Sequence, residues 1–108
     1  MSLYAEYIKE REGKQIIECE DGFATFSIHG EDCYIVDIYV RPHARKSGLA
    51  SKMADEIADR ARELQCKWLL GTVNPMTEGA TESLKVLLAY GMKLAGLKDN
   101  LIWFSQAL

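Results

Sequence analysis

The sequence predicts an α/β fold, an α+β sandwich in which helices pack on a mixed but mostly antiparallel central sheet. Three observations support this class. Alternating apolar residues and short turns mark three consecutive strands in the first half of the chain. A long amphipathic segment then separates the third strand from another apolar run, which makes a β-α-β crossover and one parallel strand pair. Two apolar runs around a polar turn close the chain as a hairpin.

The first forty residues predict one helix and three antiparallel strands. Apolar residues at i, i+4 spacing favour a short helix that Ser2 caps and Gly13 ends, with a first strand as the alternative. Asp21-Gly22 is a two-residue hairpin signal, and Gly30-Glu31-Asp32 marks a second turn. The predicted bounds are 2–12 for the helix and 15–20, 23–29 and 33–40 for the strands.

The rest of the chain predicts two helices and three strands. The main helix carries an apolar stripe that we expect to face the sheet, formed by Leu49, Met53, Ile57, Ala61 and Leu64. A shorter helix has Leu84, Leu87 and Leu88 as its apolar face, and Gly91 terminates it. The predicted bounds are 45–64 and 81–90 for the helices and 67–73, 92–97 and 101–106 for the strands.

Length and composition limit the classes of function. The chain has 108 residues, 48% of them hydrophobic and 27% charged, so we expect residues 1–108 to form a single globular domain. The net charge of −3 argues against nucleic acid as a partner, because domains that bind it are usually basic. No apolar run approaches the roughly 20 residues of a membrane span and no signal peptide is visible, so we expect a cytoplasmic protein without a membrane partner.

The cysteines support the same compartment. Cys19, Cys33 and Cys66 are widely spaced, and an odd number without a C-x-x-C pair indicates reduced thiols. We expect Cys33 and Cys66 to be small buried apolar residues. Only His29 and His43 could join the cysteines as ligands, and no ligand spacing recurs, so no metal site is predicted.

The turn between the third strand and the main helix is the most informative segment. It contains Arg45-Lys46-Ser47-Gly48-Leu49-Ala50, which reads R-x-x-G-x-A. A strand-to-helix turn directs several backbone N–H groups at one place, where the helix dipole adds partial positive charge. Gly48 and Ala50 let the backbone approach an anion closely, while Arg45 and Lys46 add full charges. The turn is therefore suited to binding a phosphate.

At these residues the chain resembles the GNAT superfamily of acetyl-CoA-dependent N-acetyltransferases. Their cofactor loop reads Q/R-x-x-G-x-G/A after a strand that ends in a Val-x-Pro-like step, and here that strand ends Asp37-Ile38-Tyr39-Val40-Arg41-Pro42. The resemblance runs from about Gly13 to the C-terminus. It implies a GNAT-like acyl-CoA N-acyltransferase fold without the family's first strand and first helix. It also implies transfer of an acetyl group from acetyl-CoA to an amine by direct attack.

The resemblance implies roles for particular residues. Backbone N–H groups of the loop would hold the pyrophosphate of coenzyme A, and pantetheine would pair with the strand at Ile38 and Val40. A backbone N–H near Ile38 would hold the thioester carbonyl. Asp37 is the candidate base that keeps the amine neutral, with a solvent-facing strand residue as the alternative. The implied cofactor-binding residues are Ile38, Val40, Arg45, Lys46, Ser47, Gly48, Leu49, Ala50, Ser51 and Ser83.

Alternatives to this enzyme stay open. Many family members have a proton-donating Tyr where this chain has Leu87, and we expect the nearby Tyr90 to pack beneath the last strands. A non-catalytic acyl-CoA-binding or protein-interaction module on the same fold is therefore a second hypothesis.

The acceptor is a small-molecule or peptide amine of unidentified kind. Acidic residues at strand ends could line the mouth of the acceptor site and together would favour a cationic acceptor, namely Glu18, Glu20, Glu31 and Asp32. Monomer and homodimer both stay open, because an exposed C-terminal strand over 101–106 could pair with a partner's sheet.

Overall fold

The computed structural model describes residues 2–108, except for the side chains of residues 82 and 83. In chain order the elements are α1 (Leu3–Glu12), β1 (Gln15–Cys19), β2 (Gly22–His29), β3 (Asp32–Val40), a 3₁₀ turn (Pro42–Ala44), α2 (Leu49–Glu63), β4 (Trp68–Val73), α3 (Ala80–Tyr90), β5 (Lys93–Lys98) and β6 (Leu101–Ala107). The predicted order of elements is confirmed, and all bounds but the start of α2 agree to within one residue.

The strands form one mixed sheet in the order β1-β2-β3-β4-β6-β5. The β3–β4 pair is parallel and the other neighbouring pairs are antiparallel, which confirms the predicted fold class and its β-α-β crossover. β6 lies inside the sheet between β4 and β5, so the expectation that the C-terminal strand is free to pair with a partner is wrong. The unpaired edges belong to β1 and β5.

The two ends of α1 are capped as the sequence predicts. The Ser2 Oγ accepts a hydrogen bond from the Ala5 N–H at 3.0 Å. At the other end Gly13 adopts a left-handed φ of 67°. Its N–H donates to the Lys9 carbonyl, and the next N–H, that of Lys14, donates to the Ile8 carbonyl. A serine N-cap and a left-handed glycine C-cap are strong helix signals. The predicted helix is therefore confirmed, and the alternative of a first strand is wrong.

The helices α2 and α3 pack on one face of the sheet and enclose the core. Met53, Ile57 and Ala61 are at most 1% exposed, which confirms that part of the predicted stripe. Leu64 is 46% exposed and does not belong to it, because α2 ends at Glu63 and the chain then turns away. On α3, Leu87 is buried, but Leu88 is 52% exposed, so the predicted apolar face is narrower than expected.

Strand register identifies a second face of the sheet, directed away from the core. Ala24 and Phe26 of β2 are buried in the core, so the alternate residues point the other way. The ring centroids of Tyr34 and Trp103 lie 5.4 Å apart across β4, which places both on that side. We call this surface the outer face; it includes Phe23, Thr25, Tyr34, Asp37, Tyr39, Thr72 and Trp103.

The β1–β2 hairpin turns one residue earlier than predicted. Its loop is Glu20-Asp21, because Gly22 already pairs with Cys19 on one side and Val40 on the other. A Cβ atom on Gly22 would overlap the backbone carbonyl oxygen of Tyr39. This glycine is therefore needed for the close approach of β2 to the end of β3, rather than for turn geometry.

Replacing Gly22 should consequently destabilise the fold. We expect Gly22→Ala to lower the free energy of unfolding by about 1–3 kcal/mol, since backbone must move to admit the methyl group. The matched control is Gly71→Ala, whose added Cβ would meet only side-chain atoms at 3.5 Å or more. Urea denaturation followed by circular dichroism measures both, and equal stability of the two variants would contradict the assignment.

Candidate functional site

The parallel strands β3 and β4 are paired over only part of their length. Pairing runs from Asp32 opposite Trp68 to Ile35 opposite Gly71 and then stops, although β3 continues to Val40 and β4 to Val73. We call the unpaired space between residues 36–40 and 72–73 the β3–β4 gap. Backbone groups of β3 that face the gap have no partner strand, so an extended ligand can bind them as an additional strand would.

A β-bulge in β3 accompanies the start of the gap. Thr25 of β2 lies opposite Asp37, while the next residue, Phe26, lies opposite Ile35, so Val36 is the additional residue. A bulge bends its strand and increases the local twist. It thereby turns the last residues of β3 away from β4.

Side chains along the gap segment alternate between the two faces of the sheet. Ile38 and Val40 are partly buried against the core, opposite Ala24 and Gly22 of β2. Asp37 is exposed on the outer face. The segment can therefore offer its backbone to a ligand while Ile38 and Val40 also pack, as the sequence suggested.

The loop after β3 has the geometry of an anion site, although α2 begins at Leu49 and not at Arg45 as predicted. The reason is that Lys46 and Gly48 are left-handed, with φ of 66° and 85°, which a right-handed helix excludes. The first helical hydrogen bond joins the Lys52 N–H to the Gly48 carbonyl at 3.0 Å. The N–H groups of the residues between, Leu49, Ala50 and Ser51, thus have no helical partner.

Among the described residues, no side chain caps this helix N-terminus at Gly48. Glycine provides no capping side chain, and a Cβ atom added there would have nothing within 4 Å. The free N–H groups, the positive end of the helix dipole and the exposed Lys46 together favour a phosphate.

Two predicted ligands of the phosphate serve the loop itself. The Arg45 Nε donates to the Val40 carbonyl at 3.0 Å, and its guanidinium lies 5.9 Å from the centre of the Tyr39 ring. The Ser47 Oγ donates to the Ala44 carbonyl at 2.5 Å. These contacts fix the loop onto the end of β3, which sequence spacing alone does not reveal.

The position of the family's usual proton donor is apolar and buried. Leu87 is 9% exposed, and its methyl groups lie 3.5–3.6 Å from the place that a Cβ atom on Gly71 would take. The predicted pantetheine contact Ser83 lies on α3, but its side chain is outside the described part.

Tyr90 is not available as a substitute donor. Its hydroxyl donates to the Asp55 carboxylate of α2 at 2.8 Å, and its side chain packs partly against the core. Burial, and secondly the hydrogen bond to Asp55, raise the pKa of Tyr90 to about 12. This side chain links α2 to α3.

The buried cysteines are equally unsuited to chemistry. Cys33 and Cys66 are 0% and 6% exposed, as expected. Burial, and secondly the nearby Cys66, raise the pKa of the Cys33 thiol to about 12, which disfavours the reactive thiolate. In the described part of the chain no three His, Cys, Asp or Glu side chains are grouped as a metal site would require. None of the helices described is both long and apolar enough to cross a membrane.

Two of the cavities formed by the described residues adjoin the sheet. The larger of these two, of about 400 Å³, is an open cleft between α1, β1, β2 and α2, and residues of the gap do not line it. The smaller, of about 270 Å³, borders the end of β3 on the outer face. Its lining includes Glu18, Glu20 and Arg41, together with side chains that the sequence did not single out, namely Phe23 and Tyr39.

The acidic residues proposed for an acceptor mouth divide between the two ends of the sheet. Glu31 and Asp32 lie at the opposite end from Glu18 and Glu20, because each hairpin reverses the chain. Glu31 also pairs with Lys67 at 2.8 Å. The expectation that all four line one mouth is therefore wrong.

Comparison with known proteins places this geometry in a family. The sequence model of the acetyltransferase (GNAT) family matches residues 2–87. Because this match spans most of the chain, the protein belongs to the acetyltransferase (GNAT) family, as its loop motif indicated. No curated protein sequence matches the chain.

Solved structures show the same fold at low sequence identity. A GNAT-family protein from Desulfovibrio desulfuricans is 15% identical, with a TM-score of 0.78 over 94% of this chain and 75% of that one. A GNAT acetyltransferase from Elizabethkingia anophelis with acetyl-CoA bound is 14% identical, with a TM-score of 0.73 over 95% and 82%. A Bacillus subtilis acetyltransferase in complex with CoA is 11% identical, with a TM-score of 0.71 over 95% and 83%.

The Tyr90–Asp55 bond should stabilise the packing of α3 on α2. We expect Tyr90→Phe to lose about 1 kcal/mol of unfolding free energy at neutral pH, as for one solvent-exposed hydrogen bond. Because the pKa of Tyr90 is raised from 10.0 to about 12, this contribution is complete below pH 10 and is lost as pH rises towards 12. Urea titrations at pH 7 and pH 11 test this, and a pH-independent difference would contradict it.

Proposed function

We propose that the protein is an acetyl-CoA-dependent N-acetyltransferase that transfers the acetyl group to an amine by direct attack. The observation that carries this proposal is that the β3–β4 gap and the uncapped start of α2 are joined by one short loop, residues 41–48. An anion site and an extended backbone-binding site thus adjoin each other. A ligand that combines a pyrophosphate with an amide-containing arm, as coenzyme A does, matches both.

The residues present fit that cosubstrate. We propose that the N–H groups of Leu49, Ala50 and Ser51, with Lys46, hold the pyrophosphate. Arg45 and Ser47 position the loop through their bonds to Val40 and Ala44. The backbone at Ile38 and Val40 then binds the pantetheine arm, with Ser83 as a further contact.

Acetyl-CoA supplies an acetyl group activated as a thioester. A backbone N–H near Ile38 polarises the thioester carbonyl, and the gap aligns it for attack, so most of the rate enhancement comes from position and electrostatics. Asp37 removes a proton from the amine, since an ordinary amine is almost fully protonated at neutral pH. The N–C bond forms as the C–S bond breaks. Asp37 holds the proton taken from the amine, and the coenzyme A thiolate takes up a proton from solvent, because neither Leu87 nor Tyr90 donates one.

A second function is favoured by one observation. The buried Leu87 cannot protonate a leaving thiolate, which would suit a non-catalytic acyl-CoA-binding module. Turnover on a panel of small-molecule and peptide amines distinguishes the two functions, because the module binds acetyl-CoA without consuming it.

The anion site can be tested with an isosteric pair at Gly48. Asp and Asn both tolerate the left-handed conformation and both cap helices, so Gly48→Asp and Gly48→Asn should fold equally well. Only Asp adds negative charge at the phosphate position. We expect the acetyl-CoA dissociation constant of Gly48→Asp to exceed that of Gly48→Asn at least roughly tenfold, about 1.4 kcal/mol, by calorimetry. Equal affinities in two folded variants would rule out this site.

The role of Asp37 is tested by kinetics. We expect Asp37→Asn to lower kcat by roughly 10²–10⁴-fold, as for loss of a general base, while acetyl-CoA binding by calorimetry stays unchanged. Asp32→Asn, at the opposite end of β3, is the matched control and should retain activity. An unchanged kcat in Asp37→Asn would assign the proton transfer to solvent instead.

A further inference from the structure

The smaller cavity lies on the outer face, the face that carries Asp37, beside the gap segment of β3. Glu18 of β1, Phe23 of β2 and Tyr39 of β3 are directly paired neighbours in register, and all three line it. Tyr39 belongs to the segment of β3 that is unpaired with β4. The cavity therefore extends from the edge of the gap across two strands towards β1.

An aromatic pair forms the floor of this cavity. The rings of Phe23 and Tyr39 have centroids 5.7 Å apart at an angle of 31°. Tyr39 remains 44% exposed, so part of its ring is open to a ligand. Exposed ring faces attract cations and also bind the methylene chain of a ligand.

Charge is distributed unevenly across the cavity. The carboxylates of Glu18 and Glu20 stand on the β1 side, where Glu18 also accepts a hydrogen bond from the Ser2 hydroxyl. On the β3 side Arg41 lines the cavity and the Arg45 guanidinium lies against Tyr39. A cationic group is consequently attracted to the β1 side and repelled from the β3 side.

On the basis of the proposed function, we propose that this cavity binds a second cationic group of the acceptor, so that the preferred substrate class is a diamine. The cavity spans β1 to β3, two strand spacings of about 4.8 Å, which sets the separation of the two nitrogens at roughly 10 Å. One nitrogen lies between the carboxylates and the aromatic rings. The other reaches the gap.

The same charge distribution favours reaction at the nitrogen of the diamine that lies in the gap. Positive charge near a second ammonium group disfavours its protonated form. Arg41 and Arg45 therefore help to keep the nitrogen at the gap neutral, as a nucleophile must be, while the distant nitrogen stays charged beside Glu18 and Glu20.

Steady-state kinetics with three simple amines give the first test. The probes are 1,7-diaminoheptane, whose chain spans the cavity, 1-aminoheptane, which lacks the second charge, and 1,3-diaminopropane, which is too short. We expect kcat/KM for 1,7-diaminoheptane to exceed that for each of the others roughly tenfold, as the sum of a cation–π contact and partly exposed ion pairs. Equal values for the three amines would overturn the proposal.

Charge variants should change this preference in opposite directions. Glu20→Gln is expected to raise KM for 1,7-diaminoheptane severalfold without changing KM for 1-aminoheptane. Arg41→Gln should instead lower KM for 1,7-diaminoheptane. Glu10→Gln removes the same charge from the exposed surface of α1 and is the matched control. The same response to Glu10→Gln and Glu20→Gln would reduce the effect to net charge and contradict a specific site.

Calorimetry gives a binding test that does not depend on turnover. We expect 1,7-diaminoheptane to bind the protein roughly tenfold more tightly than 1-aminoheptane, with or without acetyl-CoA present. Preferential binding of the diamine without any acetylation would support the subsite and refute the proposed enzyme. Acetylation without preferential binding or turnover of the diamine would support the enzyme and refute the subsite.

Discussion

The arrangement of the site depends on a parallel strand pair that is joined at one end and divided at the other. β3 and β4 are paired over four residues, from Asp32 to Ile35 and from Trp68 to Gly71, and this pairing holds the two halves of the sheet together. One additional residue in β3, Val36, lies at the point where the pairing stops. The unpaired β3 segment, the loop that follows and the outer-face cavity all lie at this divided end. Backbone groups of β3 have no strand partner there, and in the proposed function the ligand takes the place of that partner.

The loop after β3 shows how local backbone conformation shapes the proposed anion site. Left-handed Lys46 and Gly48 prevent the helix from starting early and leave the first N–H groups of α2 directed outwards. Lys46 has to adopt a conformation that ordinary residues seldom occupy. Arg45 compensates by joining the loop to the Val40 carbonyl and to the Tyr39 ring. Strain in the loop is thus balanced by contacts to the strand.

Much of the fold could be predicted from the sequence because its signals are local. Ser2 and Gly13 predict the two ends of α1, and turn motifs predict the hairpins. The apolar stripe through Met53 and Ile57 predicts which face of α2 is buried. What could not be predicted depends on register between distant strands. The bulge at Val36 and the cavity behind Tyr39 arise only when β1, β2 and β3 are aligned, and the sequence places Glu18 and Glu31 alike at strand ends without showing that these ends are opposite. The sequence predicts the start of α2 too early for a different reason. Arg45 and Lys46 are good helix formers, and contacts of the loop to β3 override that helical preference.

The edges of the sheet have a consequence for how the molecule behaves in a crowded solution. An exposed strand edge can act as a template on which other chains assemble, and the two edges here are poorly suited to that. β1 has only five residues, while β5 begins and ends with lysine and is interrupted by an irregularity between Leu94 and Gly96. The lysines and the irregular register thus make β5 a poor template for pairing with another chain. The short length of β1 has the same effect on that strand. A small protein with two free edges can in this way remain dispersed at concentrations at which a long, regular edge would promote aggregation.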